Sequence, residues 1–139
     1  MFADLLKQLQ RYPLTTPQPR PALRNAAVLV GLHGSAAQPQ VILTERAAHL
    51  KSHPGEVAFP GGMFERGDSD LLATALRETR EEIGLVAEQI EPLATLPVAT
   101  PKRSDVLVTP FVGRVAEPLQ FTLETSEIGA VFSVPLAEF

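Results

Sequence analysis

Apolar residues at Phe2, Leu5, Leu6 and Leu9 recur at the three-to-four spacing of a short amphipathic helix. Pro13, Pro17, Pro19 and Pro21 then interrupt any period and make 12–23 a stiff, extended connector. The apolar run 26–32 falls far short of the roughly 20 residues of a membrane helix and reads as a buried stretch of a strand over 24–33. A turn over 34–38 leads to a second strand over 41–44. Residues 46–55 are polar, hold His49, His53 and Pro54, and show no period, so they are expected to form a surface loop. A short strand over 57–59 meets Pro60-Gly61-Gly62, a chain-reversal signal. A helix is expected over 70–83, with Ser69 as N-cap and Gly84 as its stop. Strands over 93–98, 106–115 and 130–134 follow. Several strands with few helices, and no regular strand-helix alternation, predict a mixed sheet in a layered α/β fold.

The helix over 70–83 carries two faces. At about 100° per residue, Leu72, Leu76, Thr79 and Ile83 form an apolar stripe, while Glu78, Glu81 and Glu82 cluster elsewhere on the surface. Glutamate runs are ordinarily solvated faces. Two penalties argue against that reading. Like charges at these spacings repel by about 0.2–0.5 kcal/mol per pair. Glu81 and Glu82 also sit at the negative end of the helix dipole, at a cost of about 0.3–1 kcal/mol each. A divalent cation would reverse both, and oxygen donors without cysteine or histidine suit Mg2+ or Mn2+ rather than Zn2+. Just upstream, Gly61 and Gly62 allow backbone to approach an ion or a phosphate closely.

Composition narrows the setting. The chain has 139 residues, enough for one core, and 45% of them are hydrophobic. A net charge of -4 argues against nucleic acid or an anionic membrane as partner. The absence of cysteine excludes disulfides and thiolate chemistry. The N-terminal stretch lacks the basic start of a secretory signal, so a cytoplasmic setting is expected. An acidic protein that handled an anionic substrate would need local basic groups or a bridging cation.

The residues Arg77-Glu78, Glu81-Glu82, Gly84 and Leu85, with Gly62 upstream, resemble the Nudix box, G-x5-E-x7-R-E-U-x-E-E-x-G-U, where U is aliphatic. Thr79 stands at an aliphatic position, one extra residue separates Gly62 from Arg77, and Asp68 stands where the box has its first glutamate. The preceding stretch 43–62, LTERAAHLKSHPGEVAFPGG, is similar to the motif that precedes the box in coenzyme A pyrophosphatases: Leu43, Thr44, Arg46, Ala47, Gly55, Phe59, Pro60, Gly61 and Gly62 match in register. Ile42 replaces a leucine of that motif and Lys51 an arginine.

The resemblance implies an α/β/α sandwich with a mixed sheet. A helix and connector over 1–23 would precede the hydrolase domain over 24–139. It implies metal-dependent cleavage of the diphosphate of coenzyme A or its derivatives, to 3′,5′-ADP and 4′-phosphopantetheine or its acyl form. Glu78, Glu81, Glu82 and the Gly62 carbonyl would hold Mg2+ or Mn2+. Glu81 or Glu82 would serve as general base, with Arg77, four residues before Glu81, pairing with that carboxylate and orienting it. Gly61, Arg46 and Lys51 would bind the substrate, the two cations taking the 3′-phosphate. Lys102 and Arg103 are expected in an exposed turn. Other nucleoside diphosphate derivatives (ADP-ribose, NADH), a nucleoside triphosphate, or an inactive binding module are the alternatives. Pro135 is expected to open a helix that the chain is too short to complete. The closing element of the resembling enzymes would then be missing, leaving an exposed apolar patch that favours a homodimer.

Overall fold

The computed structural model describes residues 2–100 and 105–139. Its elements are α1 (Phe2–Leu9), β1 (Arg24–Ser35), β2 (Gln38–Arg46), β3 (Val57–Ala58), β4 (Gly61–Met63), α2 (Leu71–Ile83), β5 (Ile90–Thr95), β6 (Val106–Val115) and β7 (Ile128–Pro135), with 3-10 turns at Ala87–Gln89 and Leu136–Glu138. The Lys102–Arg103 pair lies outside the described residues.

A mixed sheet of all seven strands divides two helical layers, as expected. Strand β1 lies parallel to β6, and β5 pairs antiparallel with the far edge of β6. On its other side β1 forms a hairpin with β2, paired only from Leu32↔Val41 to Ser35↔Gln38. Beyond that point the two strands part, and the segment from β3 to β4 fills the gap. There β3 bonds to β2 and β4 bonds to β1. Strand β7 runs along the outer edge of β2.

Alternation along β1 assigns the two faces. Ala27 and Leu29 face α2, joined by Ile42, Phe111, Val115, Ile83, Leu85 and Ile128. Leu32 faces the other way, where Val41, Ala94 and Val112 meet Leu5, Leu6 and Leu9 of α1. Leu5, Leu6 and Leu9 of the first helix thus form a half-buried seam, and the connector behind it is tied down: Pro17 accepts a hydrogen bond from the Leu71 amide and Thr15 exchanges two with Thr95.

Four expectations change. Residues 61–63 form a strand rather than a reversal, because glycine lets this backbone lie against β1; a Cβ on Gly61 would stand 2.6 Å from the Val28 Cα. The N-cap is Asp70, not Ser69: its carboxylate accepts from the Ala73 amide at 2.8 Å, while the Ser69 carbonyl is held by Gln18. Strand β5 begins at Ile90, three residues earlier than expected, since Pro92 is tolerated at a bulge on an edge strand. The buried stripe of α2 is Leu71, Thr74, Ala75, Thr79 and Ile83, with Leu72 and Leu76 only half-buried at its border. Thr79 replaces an aliphatic residue without an orphaned hydroxyl, because its Oγ1 donates to the Ala75 carbonyl at 2.7 Å.

Beyond β7, the turn Leu136–Glu138 follows in place of a regular helix, and Leu136 packs against the Leu32–Val41 core cluster. Phe132 and Phe139 are exposed. At the other end of α2, Gly84 has the left-handed φ of 81° expected of a stop, and its amide donates to the Arg80 carbonyl. Asp70→Ala should cost about 1 kcal/mol in chemical denaturation, and Ser69→Ala distinctly less; equal costs would restore Ser69 as the cap.

Candidate active site

The gap between β1 and β2 delivers Phe59-Pro60-Gly61-Gly62 directly onto the acidic face of α2. The Gly61 amide donates to Glu82 Oε1 at 3.1 Å. At Gly62, any Cβ would lie 2.6 Å from the Glu78 carboxyl carbon. The two glycines therefore set how near the helix and its carboxylates approach the strand. Gly61, expected to touch substrate, has its amide committed to Glu82 instead.

Arg77 organises the opposite side. Its Nε and one terminal nitrogen form a fork on the two Asp68 oxygens, at 2.7 and 3.0 Å. The same terminal nitrogen also donates to the Met63 carbonyl at 3.0 Å. The other terminal nitrogen bridges Glu78 at 2.8 Å and Glu81 at 3.1 Å. Asp68 is itself fixed by the Thr74 hydroxyl and the Glu65 amide. These bonds, led by those from Arg77, pull its carboxyl down to about 2. Arg77 is correspondingly held as a cation. Asp68, at the place of the first glutamate of the box, thus fastens Arg77 with a side chain one bond shorter than glutamate, in a loop one residue longer. Sequence spacing placed Asp68 there but not in this partnership.

The three box glutamates differ in environment. Burial, which outweighs its bond from Arg77, raises Glu78. Burial also pushes Glu82 up to about 7, against the Gly61 hydrogen bond, and the charges of Glu78 and Glu127 add to the rise. Glu81 is the open one, its side chain 56% exposed, and it lines a cleft of about 390 Å3 with Glu124, Ser126 and Glu127. Glu127 was not anticipated. It lies in sequence 45 residues beyond Glu82, and no local pattern announces it.

Among the described residues, no three histidine, aspartate or glutamate side chains stand ready-made around one ion. The Arg77 bridge keeps Glu78 and Glu81 turned toward it. The donor set nevertheless fits a hard divalent cation. It is all oxygen, Glu78 and Glu82 repel each other in a partly dry site, and the glycine strand leaves room for nothing bulkier. A cation would compete with one Arg77 nitrogen for the carboxylates, while the Asp68 fork keeps the rest of the guanidinium in place.

The loop over 46–55 flanks this site. The Arg46 charge opposes the rise at Glu82, so the guanidinium lies near the carboxylates. Its Nε and one terminal nitrogen hold the Ser52 carbonyl at 3.3 and 3.0 Å. Lys51 is exposed on the same loop. His53 pairs with Glu56, and His49 meets the Ser126 carbonyl at 3.2 Å, tying the loop to the far wall of the cleft.

The state of Glu82 has a measurable consequence. Its folded value, about 7, lies above the reference of 4.5. Between these values the folded protein binds more protons than the unfolded chain, so stability is highest below about 4.5 and declines as pH rises to about 7. Thermal unfolding in EDTA should therefore show a falling melting temperature across that window, superimposed on other titrations. Glu82→Gln should flatten the fall and raise the melting temperature at pH 8; an unchanged slope would place Glu82 in water.

Comparison with known proteins agrees with this geometry. The NUDIX domain family profile matches residues 22–139. A protein named Uncharacterized Nudix hydrolase NudL, from Enterobacter sp. (strain 638), is 41% identical over 133 residues, which span 94% of this chain and 68% of that protein. Its namesake from Klebsiella pneumoniae (strain 342) is 42% identical over the same extents. Among solved structures, a C. elegans Ap4A hydrolase binary complex superposes with a TM-score of 0.67 at 23% identity, covering 84% of this chain and 82% of that one. The NUDIX domain of Shewanella oneidensis NrtR complexed with ADP ribose does so with 0.65 at 22%, covering 86% and 77%. At such identities the solved structures establish the fold; the family profile and the sequence relatives establish that this chain belongs to the Nudix hydrolase family.

Proposed function

We propose that the protein hydrolyses the diphosphate linkage of coenzyme A or its derivatives, releasing 3′,5′-ADP and 4′-phosphopantetheine or its acyl form. The observation that carries the hydrolase reading is the convergence of Glu78 and Glu82 on the Gly61-Gly62 strand, with Arg77 fastened beside them and bridging Glu78 to Glu81. Hydrolases of this family generally need a divalent ion such as Mg2+ or Mn2+. Support for coenzyme A comes from the register of residues 43–62 with the coenzyme A pyrophosphatase motif.

Glu78, Glu82 and the Gly62 carbonyl would hold the cation, with Glu81 on the neighbouring cleft. When bound, that cation neutralises the diphosphate and acidifies an attacking water. Glu81, oriented by Arg77 at the i, i+4 spacing and facing the cleft, would accept the proton of the attacking water. Gly61 keeps Glu82 aimed inward through its amide. Arg46 and Lys51 offer positive charge to the 3′-phosphate, Arg46 also holding the loop through the Ser52 carbonyl.

Glu81→Gln and Glu82→Gln should each lower kcat by about two orders of magnitude or more while the fold persists. Near-normal turnover in both would remove the proposed site. Turnover should vanish in EDTA and return with Mg2+ or Mn2+.

The specificity is tested separately. Coenzyme A should be cleaved with higher kcat/KM than dephospho-coenzyme A, ADP-ribose, NADH or a nucleoside triphosphate. Arg46→Ala should shrink the preference over dephospho-coenzyme A by roughly 1.5–3 kcal/mol. A wild-type preference for ADP-ribose or NADH would leave the hydrolase reading and remove coenzyme A.

A further inference from the structure

The β1–β2 hairpin has two ends. Its splayed end holds the acidic site, and its closed end carries a second group of polar side chains drawn from three distant parts of the chain. Alternation along β1 from Leu29 through Gly31 puts His33 on the face that α2 covers. Past its bulge opposite Arg46, β7 alternates regularly, so Ser133 shares the face of Val131. His33 stands opposite Gln40 and Ser133 opposite Ile42, on the two sides of the intervening strand β2. The imidazole reaches across β2 and brings its Nε2 within 2.7 Å of the Ser133 Oγ.

Glu117, which follows β6, completes the row. Its Oε1 accepts from the Gly34 amide at 2.9 Å and lies 3.6 Å from His33 Nδ1. The backbone on either side of it is pinned: the Ala116 amide donates to the Gln89 carbonyl at 2.8 Å, and the Gln89 side chain reaches the carbonyls of Ala116 and Pro118. A carboxylate facing Nδ1 favours the tautomer that carries its proton there, which leaves the Nε2 lone pair to accept the serine hydroxyl. The row of hydroxyl, imidazole and carboxylate is that of a nucleophile, its base and the group that orients the base.

Access is divided as such chemistry needs. Ser133 is exposed, whereas the His33 side chain is only 12% exposed. Beside the imidazole lies a cleft of about 450 Å3, lined by Gly34, Gln89 and Glu117 together with the buried Ile90 and Val115. Among the described residues β7 pairs with β2 alone, so every second backbone amide along its outer edge points away from the sheet. These outward amides are the donors available to an oxyanion formed at Ser133.

We propose that Ser133, His33 and Glu117 form a second hydrolytic site, independent of the metal and of the acidic helix, that acts on small carboxylic esters. The Ser133 Oγ bonds to the ester carbonyl carbon as its proton passes to His33 Nε2. The bond from that carbon to the alcohol oxygen then breaks, and Nε2 gives the proton to the departing alcohol. Water next passes a proton to Nε2 and bonds to the acyl carbon; the bond to Oγ breaks, and Oγ takes that proton back. Ester and water become acid and alcohol, and nothing else is consumed. Glu117 is a positioning residue: it holds the imidazole in its tautomer and stabilises the imidazolium.

The test is hydrolysis of p-nitrophenyl acetate in EDTA, together with labelling by a fluorophosphonate, which phosphonylates activated serines, and location of the label by mass spectrometry. The wild type should carry the label on Ser133 and release nitrophenol without added metal. Ser133→Ala should lose the label and slow the release on the order of 100-fold or more, and His33→Gln should do the same. Glu117→Gln should lower kcat and leave KM unchanged. Ser35→Ala, on the same hairpin, should label and turn over as the wild type does. Equal nitrophenol release by Ser133→Ala and the wild type, both folded by circular dichroism, would overturn the proposal. So would a wild type whose Ser133 takes no label, or whose esterase activity vanishes in EDTA.

Discussion

The close approach of strand β4 to helix α2 is the constraint on which the rest of the structure depends. A helix and a strand ordinarily keep a side-chain layer between them. At Gly61 and Gly62 that layer is absent, so the Glu78 carboxyl group occupies the space where a Cβ would be and the Gly61 amide reaches Glu82. Everything that makes the site chemically unusual follows from this contact. The two carboxylates are drawn partly out of water, their protonated forms are favoured by burial, and they repel each other in a place where solvent screens them only in part.

Such a contact would push the helix away if nothing opposed it. Two sets of bonds do. At the N-terminal end, Asp68 grips Arg77 with a two-point fork, Thr74 and the Glu65 amide fix Asp68, and the connector carbonyl of Pro17 takes the Leu71 amide. At the C-terminal end, amides of the segment entering β7 satisfy the carbonyls of Glu82 and Ile83, which a helix terminus leaves without partners. Between them lies the apolar stripe of Leu71, Ala75 and Ile83 on the sheet. The favourable terms are thus distributed along the helix, and the unfavourable ones are concentrated at its acidic face. That is the arrangement expected where stability is given up locally for function.

The sheet contributes by opening rather than by closing. Because β1 and β2 pair only near their turn, the splayed ends admit β3 and β4 and expose the glycine strand to the helix. The same splay leaves the end of β2 to bring the charge of Arg46 to bear on the acidic face. Strand β7, on the outer edge of β2, brings Glu127 to the same rim. The site is therefore assembled where three connections meet, on a scaffold whose two faces are packed by α1 and α2.

What the sequence by itself determined is the part carried by short-range rules. The amphipathic first helix, the acidic helix and its glycine stop, and the positions of Glu78, Glu81 and Glu82 on a single face all follow from periodicity and capping chemistry. The family followed from the spacing of glycines, arginine and glutamates. The tertiary structure decided what depends on partners distant along the chain. Gly61 and Gly62 read locally as a turn, and only the neighbouring β1 makes them a strand. Ser69 reads as the cap in sequence, and only the folded chain shows the Asp70 carboxylate in that role, on the Ala73 amide. The pairing of Asp68 with Arg77 and the placing of Glu127 opposite Glu81 arise from loop length and a β-bulge, neither of which has a periodic signature. Local propensity is a property of neighbouring residues, whereas the electrostatics of this site come from charges brought together across the fold, so they became legible only once the chain was folded.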